Sequence, residues 1–320
     1  MRRVLGAIGR VLITIGLLML LFVAYQLWGT GIYEARAQNR LGDEFHRQLT
    51  HRATTNTAPT AATGSDDPTV PVTSTLPPTT TTVLPPPPDL HNGDSVGQID
   101  IPKIGVSKFI VEGVDVSDLR QGPGHYPGTP LPGQEGNAAI AGHRTTYGAP
   151  FGNIDQLATG DDITIQTVQG TFTYRVDRDP FAVDPGDGDV LKPEPDPARP
   201  GHNLAQLTLT TCTPKYSAAQ RLIVKARLVF PQGTPLKLPL PPSPGTANPK
   251  PHTISGLSGE RSSRAPALLW GLIAALVGGL WWLLFHRHPR WATWFVGVLP
   301  FLVVLFVFYT YLERMLPSNY

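Results

Sequence analysis

Leu207-Thr208-Leu209-Thr210-Thr211-Cys212-Thr213-Pro214 is the stretch on which the fold turns. Leucines alternating with threonines give a period of two, the pattern of a strand with one face in a core. Pro214 has no N–H to donate to a sheet, so the strand stops beside it. Cys212 therefore lies where a strand meets a loop. Arg221-Leu222-Ile223-Val224 opens the next strand-like run, nine residues after the cysteine. A tight loop between the two runs brings the thiol and the guanidinium together, although an edge-strand arginine in water satisfies the same spacing.

Working outward, short alternating runs recur at Gln98–Ile101, Ala138–Ala141, Ile163–Ile165, Phe172–Val176 and Leu222–Val229. No long segment of helical period separates them. Gly122-Pro123-Gly124, Tyr126-Pro127-Gly128 and Asp184-Pro185-Gly186 punctuate the strands. Residues 91–230 are thus expected to form an all-β domain, a small closed or partly closed barrel with loops at its ends.

The flanks have a different composition. Val11 to Trp28 is free of formal charge and follows Arg2, Arg3 and Arg10. At 1.5 Å per residue this run nearly crosses ~30 Å of hydrocarbon. A cleaved signal peptide is the rival reading, with Ala35-Arg36-Ala37 as its site, but the apolar run is longer than such peptides carry. Residues 1–10 are expected to be cytoplasmic and 11–33 to be an anchor. Residues 265–285 and 291–312 form two further apolar spans with Trp and Tyr near their ends, joined by His286-Arg287-His288-Pro289-Arg290. Arginine in that turn places it in the cytoplasm, which puts residues 34–264 and the tail 313–320 outside. A multi-pass membrane protein with an extracytoplasmic catalytic domain is expected.

Residues 34–90 are expected to be a Thr/Pro-rich stalk, since PTVPVTSTLPPTTTTVLPPPP offers too little apolar surface to offset the entropy of ordering. Polyproline geometry would hold the barrel tens of ångströms from the bilayer. A second Pro-rich linker, 231–264, returns to the membrane.

Composition narrows the chemistry. In 320 residues, 26 Lys and Arg stand against 24 Asp and Glu, a net charge of +2 that gives no basic surplus for nucleic acid. Cys212 is the sole cysteine, which excludes intrachain disulfides and multi-thiolate sites. No zinc spacing, phosphate loop or dinucleotide fingerprint is present, so no cofactor or metal is implied. Cys212 is either a small buried hydrophobe or a nucleophile that needs a basic neighbour. Histidines in the anchor-proximal region, the linkers and the cytoplasmic turn cannot reach it. His91 opens the domain as a linker residue, leaving His125, His143 and His202. His143 ends the run Ala138-Ala139-Ile140-Ala141-Gly142 at the mouth of a strand and is the first choice. His125 and His202 lie in Gly/Pro loops, where a solvated surface histidine is the ordinary explanation.

Thr208-Leu209-Thr210-Thr211-Cys212 with Arg221 downstream, and Ala141-Gly142-His143-Arg144-Thr145-Thr146-Tyr147-Gly148 upstream, resembles a sortase. With Gly122-Pro123-Gly124-His125-Tyr126-Pro127-Gly128-Thr129 the pattern is most similar to the class E sortases of actinobacteria. The resemblance covers about Ser95 to Phe230 and implies a closed eight-stranded barrel. It implies a cysteine transpeptidase that cleaves a C-terminal LPxTG- or LAxTG-type sorting signal between Thr and Gly through a thioester. The partners it implies are secreted proteins bearing that signal and an amine of a lipid-linked peptidoglycan precursor. Cys212 would be the nucleophile, His143 the acid and base, and Arg221 the donor to substrate carbonyl or oxyanion. Thr211 would assist through its backbone N–H, and Tyr126 matches the tyrosine linked to alanine at the second signal position. The C-terminal hairpin departs from the single-anchor plan usual in sortases. The alternative to an enzyme is a non-catalytic extracellular binding module on a stalk, with Cys212 buried.

Overall fold

The computed structural model describes residues 2–56, 89–198, 200–229, 263–285 and 291–315. Most of the expected stalk, nearly all of the Pro-rich linker, the 286–290 turn and the end of the C-terminal tail lie outside the described residues.

Nine strands form the sheet: β1 (Ser95–Ile101), β2 (Val106–Glu112), β3 (Gly124–His125), β4 (Gly136–Ala141), β5 (Asp162–Thr167), β6 (Gly170–Val176), β7 (Phe181–Val183), β8 (Ala205–Thr213) and β9 (Gln220–Leu228). Their order is β6-β5-β1-β2-β3-β4-β8-β9-β7, and an additional pairing of β6 with β9 closes eight of them into a barrel. β7 pairs with Arg221–Ile223 of β9, leaving Ala226–Leu228 of that strand for β6. The expected closed eight-stranded barrel is present, with β7 as an added short strand.

The core follows from the alternation. Ile99 and Ile101 of β1, Ala138 and Ile140 of β4, Ile163 and Ile165 of β5, Leu207 and Leu209 of β8 and Leu222, Val224 and Ala226 of β9 fill the interior. The residues between them point to the other face of the sheet. On β4 these are Ala139 and Ala141, and on β8 they are Thr208, Thr210 and Cys212.

The structure departs from the sequence reading before the barrel. Residues 34–56, assigned above to the stalk, are helical: α1 (Arg2–Ala24), a π-helical segment (Tyr25–Gly29) and α2 (Thr30–Asn56) follow without a break. Glu34, Gln38, Leu41 and Phe45 are buried along α2 at the spacing of one helix face. Lys108 Nζ donates to Glu34 at 2.7 Å, and the ring of Phe45 lies 6.1 Å from that of Phe109. The contact has a backbone reason. β2 pairs with β1 along its length, but β3 meets it only at Val111 and Glu112, leaving an unpaired edge. Gln38 fills part of that edge: its Oε1 accepts from Phe109 N at 2.7 Å and its Nε2 donates to Phe109 O at 2.9 Å. The helix thus does the work of a neighbouring strand. The barrel is held against a helix that continues directly from α1, rather than held off at the end of an extended stalk.

Gln38→Leu should therefore strip two buried backbone groups of their partners. We expect barrel stability to fall by about 1–3 kcal/mol and amide exchange at Phe109 to accelerate, read by thermal unfolding and hydrogen exchange. Unchanged protection at Phe109 would show that the edge needs no cover.

At the other end, α4 (Arg264–Phe285) and α5 (Trp291–Met315) form an antiparallel hairpin in which Gly271 lies under Phe308 and Gly278 under Phe301. Arg264–Leu284 is long and apolar enough to cross a membrane. Leu12–Ala24 and Gly297–Glu313 are shorter apolar stretches. Leu20 and Leu268 are 68% and 76% exposed. α5 also packs on the first helix: Tyr309 donates from its hydroxyl to Leu18 O at 2.6 Å, and Tyr25 donates to Thr310 Oγ1 at 3.2 Å.

Candidate active site

β8 and β9 run antiparallel with Cys212 directly opposite Arg221. Both side chains leave the face of the sheet that the core does not use. β4 lies parallel to β8 on its other side, with Ala141 opposite Thr210. His143 follows two residues after Ala141, just past the end of β4, and Cys212 follows two residues after Thr210, near the end of β8. The pairing is held past the end of β4 by two hydrogen bonds, from Gly142 N to Thr210 O at 3.0 Å and from Thr211 Oγ1 to Gly142 O at 2.7 Å. Cys212 and Arg221 thus share one face of the sheet, and His143 follows the end of the neighbouring strand.

Gly142 is required for packing at this point. A Cβ there would lie 2.6 Å from the ring of Phe151, a core residue beneath the His143 loop. Cys212 is buried, with 8% of its surface exposed. Burial pushes its thiol up, while the Arg221 and Arg144 guanidinium groups pull it back down. His143 is 3% exposed, and its Nε2 has no hydrogen-bond partner among the described residues. Burial, reinforced by the Arg120 charge, holds its imidazole down at about 4. At pH 7 the resting pair is therefore thiol and neutral imidazole.

The sign of the pH dependence follows. An unfolded histidine titrates near ~6.5, so between that value and about 4 the unfolded chain binds the extra proton. His143 thus contributes stability that is complete above ~6.5 and lost as pH falls toward 4, about 3 kcal/mol in all. His143→Gln should flatten that acid slope in thermal melts between pH 7 and 4. A slope unchanged by the substitution would show that this imidazole is not buried neutral.

Arg221 is 4% exposed and is held from behind. Its Nη1 donates to Ala218 O at 3.2 Å and Gln220 O at 3.1 Å, and its Nε is buried without a partner among the described residues. The guanidinium is anchored with donor capacity to spare. Thr211 supports the arrangement through its hydroxyl, which ties β8 to the strand end bearing His143. Tyr126 lies behind the site, 1% exposed, with its hydroxyl 3.0 Å from Thr210 Oγ1. Burial pushes that phenol up, opposed by its hydrogen bond with Thr210 and by the Arg221 charge.

The two loop histidines fare differently. His125, expected to be a solvated surface residue, is buried: its Nδ1 lies 2.7 Å from Glu112 Oε2, and its Nε2 lies 3.0 Å from Pro130 O and 3.1 Å from Thr129 Oγ1. The Gly/Pro surroundings that suggested a surface loop instead form β3, which is paired on both sides. His202 keeps a half-exposed side chain, with Nδ1 3.0 Å from Glu135. Neither joins Cys212.

Sequence reasoning gave no role to Arg144, Arg120 and Tyr147. Arg144 Nη1 donates to Cys212 O at 3.1 Å and Thr213 Oγ1 at 2.9 Å, and its Nη2 lies 3.1 Å from Asp155. It clamps the cysteine backbone from the loop after His143. Its position beside His143 was the available signal. Arg120 follows the helical turn α3 (Val116–Leu119), which is fixed by a capping box between Asp115 and Asp118. The ring of Tyr147 lies 5.1 Å from that of His143, and Arg120 sits 5.8 Å over the tyrosine.

Residues 99–229 match the sortase domain. The chain is 33% identical over 230 residues to sortase SrtE1 of Streptomyces coelicolor, an alignment covering 70% of this chain and 56% of that protein. Sortase SrtE2 of the same organism is 27% identical over 239 residues, covering 70% and 81%. The chain thus spans little more than half of the first relative and about four fifths of the second. The solved structure of sortase E from Streptomyces avermitilis is 38% identical, covering 44% of this chain and 91% of that one, with a TM-score of 0.38. Residues 99–229, the eight-stranded barrel that carries Cys212, His143 and Arg221, thus form a sortase domain, and the chain is similar to class E sortases.

Proposed function

We propose that this chain is a membrane-held cysteine transpeptidase. It cleaves a C-terminal sorting signal of the LPxTG or LAxTG type between Thr and Gly, then passes the threonyl group to an amine of a lipid-linked peptidoglycan precursor. The observation that supports the reading is Cys212 paired directly across from Arg221, with His143 just past the end of β4, the strand that runs beside β8.

The chemistry follows from these positions. The Cys212 sulfur attacks the threonine carbonyl as thiolate, and Arg221 donates to the oxygen as negative charge collects on it. His143, as imidazolium, gives its proton to the departing glycine amine. The C–N bond breaks, leaving a thioester. The incoming amine then attacks the thioester, His143 takes up its proton, and the thiolate leaves. Because the resting pair is neutral, the reactive ion pair is the minor form, and substrate must enter a site now closed over His143. Tyr126, beneath Thr210, is placed to shape the pocket for the second signal residue.

The helices support a multi-pass arrangement with the barrel outside. α1 and the hairpin pack together, and the ends of the first and last helices nearest the barrel, Thr30 and Glu313, both meet Tyr147. With residues 1–10 and 286–290 inside, both of these ends face outward, where the barrel lies.

The test is direct. Full-length protein in detergent, given LAxTG and LPxTG peptides and an amine, should yield the threonyl-amine product by mass spectrometry. Absence of both transfer and a thioester adduct with either peptide would remove the proposal.

A further inference from the structure

Cysteine–histidine sites commonly have a third group that orients the base. Here the Nε2 of His143 has no hydrogen-bond partner among the described residues. What lies against the imidazole is the ring of Tyr147, and Tyr147 is held from α2 and α5. Its backbone N–H donates to Thr30 Oγ1 of α2 at 3.2 Å, and its hydroxyl donates to Glu313 of α5. Glu313 also lies 4.0 Å from Arg120, and both side chains of that pair are 8% exposed.

The loop is held in a conformation that needs such support. Tyr147, Gly148 and Ala149 have φ of 51°, 70° and 43°, three consecutive residues in the left-handed region where only glycine is at ease. A carboxylate buried against Arg120 and the Tyr147 phenol is costly to keep unless it fixes a geometry.

We propose that Glu313, at the end of the last membrane helix, is a positioning residue for His143, acting by holding Tyr147 against the imidazole. This rests on the transpeptidase reading for its kinetic consequences, but not for its structural ones. Glu313 has a second effect, since it offsets the charge of Arg120. The charge that acts on the imidazole is that of Arg120 after α3. Glu313 on α5 lies against Arg120, Glu34 of α2 lies beside Gly148 and pairs with Lys108, and Arg144, next to His143, pairs with Asp155.

The experiment uses full-length protein in detergent carrying [13Cε1]-histidine, with the His143 signal assigned by His143→Gln. Glu313→Ala and Tyr147→Phe should each lower kcat about 10-fold with KM for the peptide within twofold, and the double variant should be no worse than Glu313→Ala. Glu313→Gln keeps an acceptor for the phenol and should retain most of kcat. It leaves Arg120 unbalanced, so the His143 signal should titrate at lower pH than in wild type. Wild-type kcat in both Glu313→Ala and Tyr147→Phe, or single losses that multiply in the double variant, would overturn the proposal. So would a His143 signal unmoved by every substitution. Should one variant fail to fold, the other and the histidine signal still decide. Absence of transfer by the wild type would instead sink the transpeptidase reading, with the His143 signal still reporting on Glu313.

Discussion

Cys212→Ala should lower threonyl transfer by on the order of 10³-fold or more while the barrel stays folded. The chain has one cysteine, so no second thiol can take over. The loss should also be confined to chemistry. The sulfur lies at a strand end outside the main core cluster, and truncating it there leaves β8 and its pairing with β9 intact. Omitting the amine should trap wild type as a covalent adduct with the peptide's acyl fragment, visible in intact mass, and the alanine variant should show none. A variant that still transferred threonine would return Cys212 to the role of a small buried hydrophobe. Absence of transfer by the wild type would instead favour the binding-module alternative.

Arg221→Lys should be nearly as damaging, with kcat reduced about 10²- to 10³-fold and peptide KM little changed. The substitution keeps the charge but removes the fork. Arg221 spends one terminal nitrogen on the carbonyls of Ala218 and Gln220, which leaves its other donors for an oxygen near Cys212. An ammonium that bonds the same two carbonyls has little left to offer and no planar geometry to aim it. Lysine activity within tenfold of wild type would mean that Arg221 supplies charge alone.

The barrel, and the positions of Cys212, His143 and Arg221 at or just past strand ends, were legible because each rests on a local pattern. Leu207 and Leu209 alternate with threonines, Pro214 stops the strand, and Gly142 marks the strand end at His143. The missing parts depend on contacts distant along the chain. Gln38 gives no sign in sequence that it will complete the edge of β2, 71 residues away. The polar residues of α2, next to a Pro/Thr tract, concealed its stripe of Glu34, Gln38, Leu41 and Phe45. His125 was misplaced because a glycine-rich context was taken for exposure, whereas β3 is short and paired on both sides. Glu313 lay one residue beyond the expected membrane span, and its partner Tyr147 is 166 residues earlier. Period and turn chemistry say nothing about such a pair.

That last contact bears on biogenesis. The loop touching His143 draws one tether from residue 30 and the other from residue 313, so the assembly spans nearly the whole polypeptide. While the ribosome is still making the hairpin, the emerging barrel already has its sulfur, imidazole and guanidinium, but the loop has only its N-terminal fastening. Insertion of the final helix completes the enclosure. The Tyr147 loop therefore gains its second fastening only when the last helix has been made and packed against it.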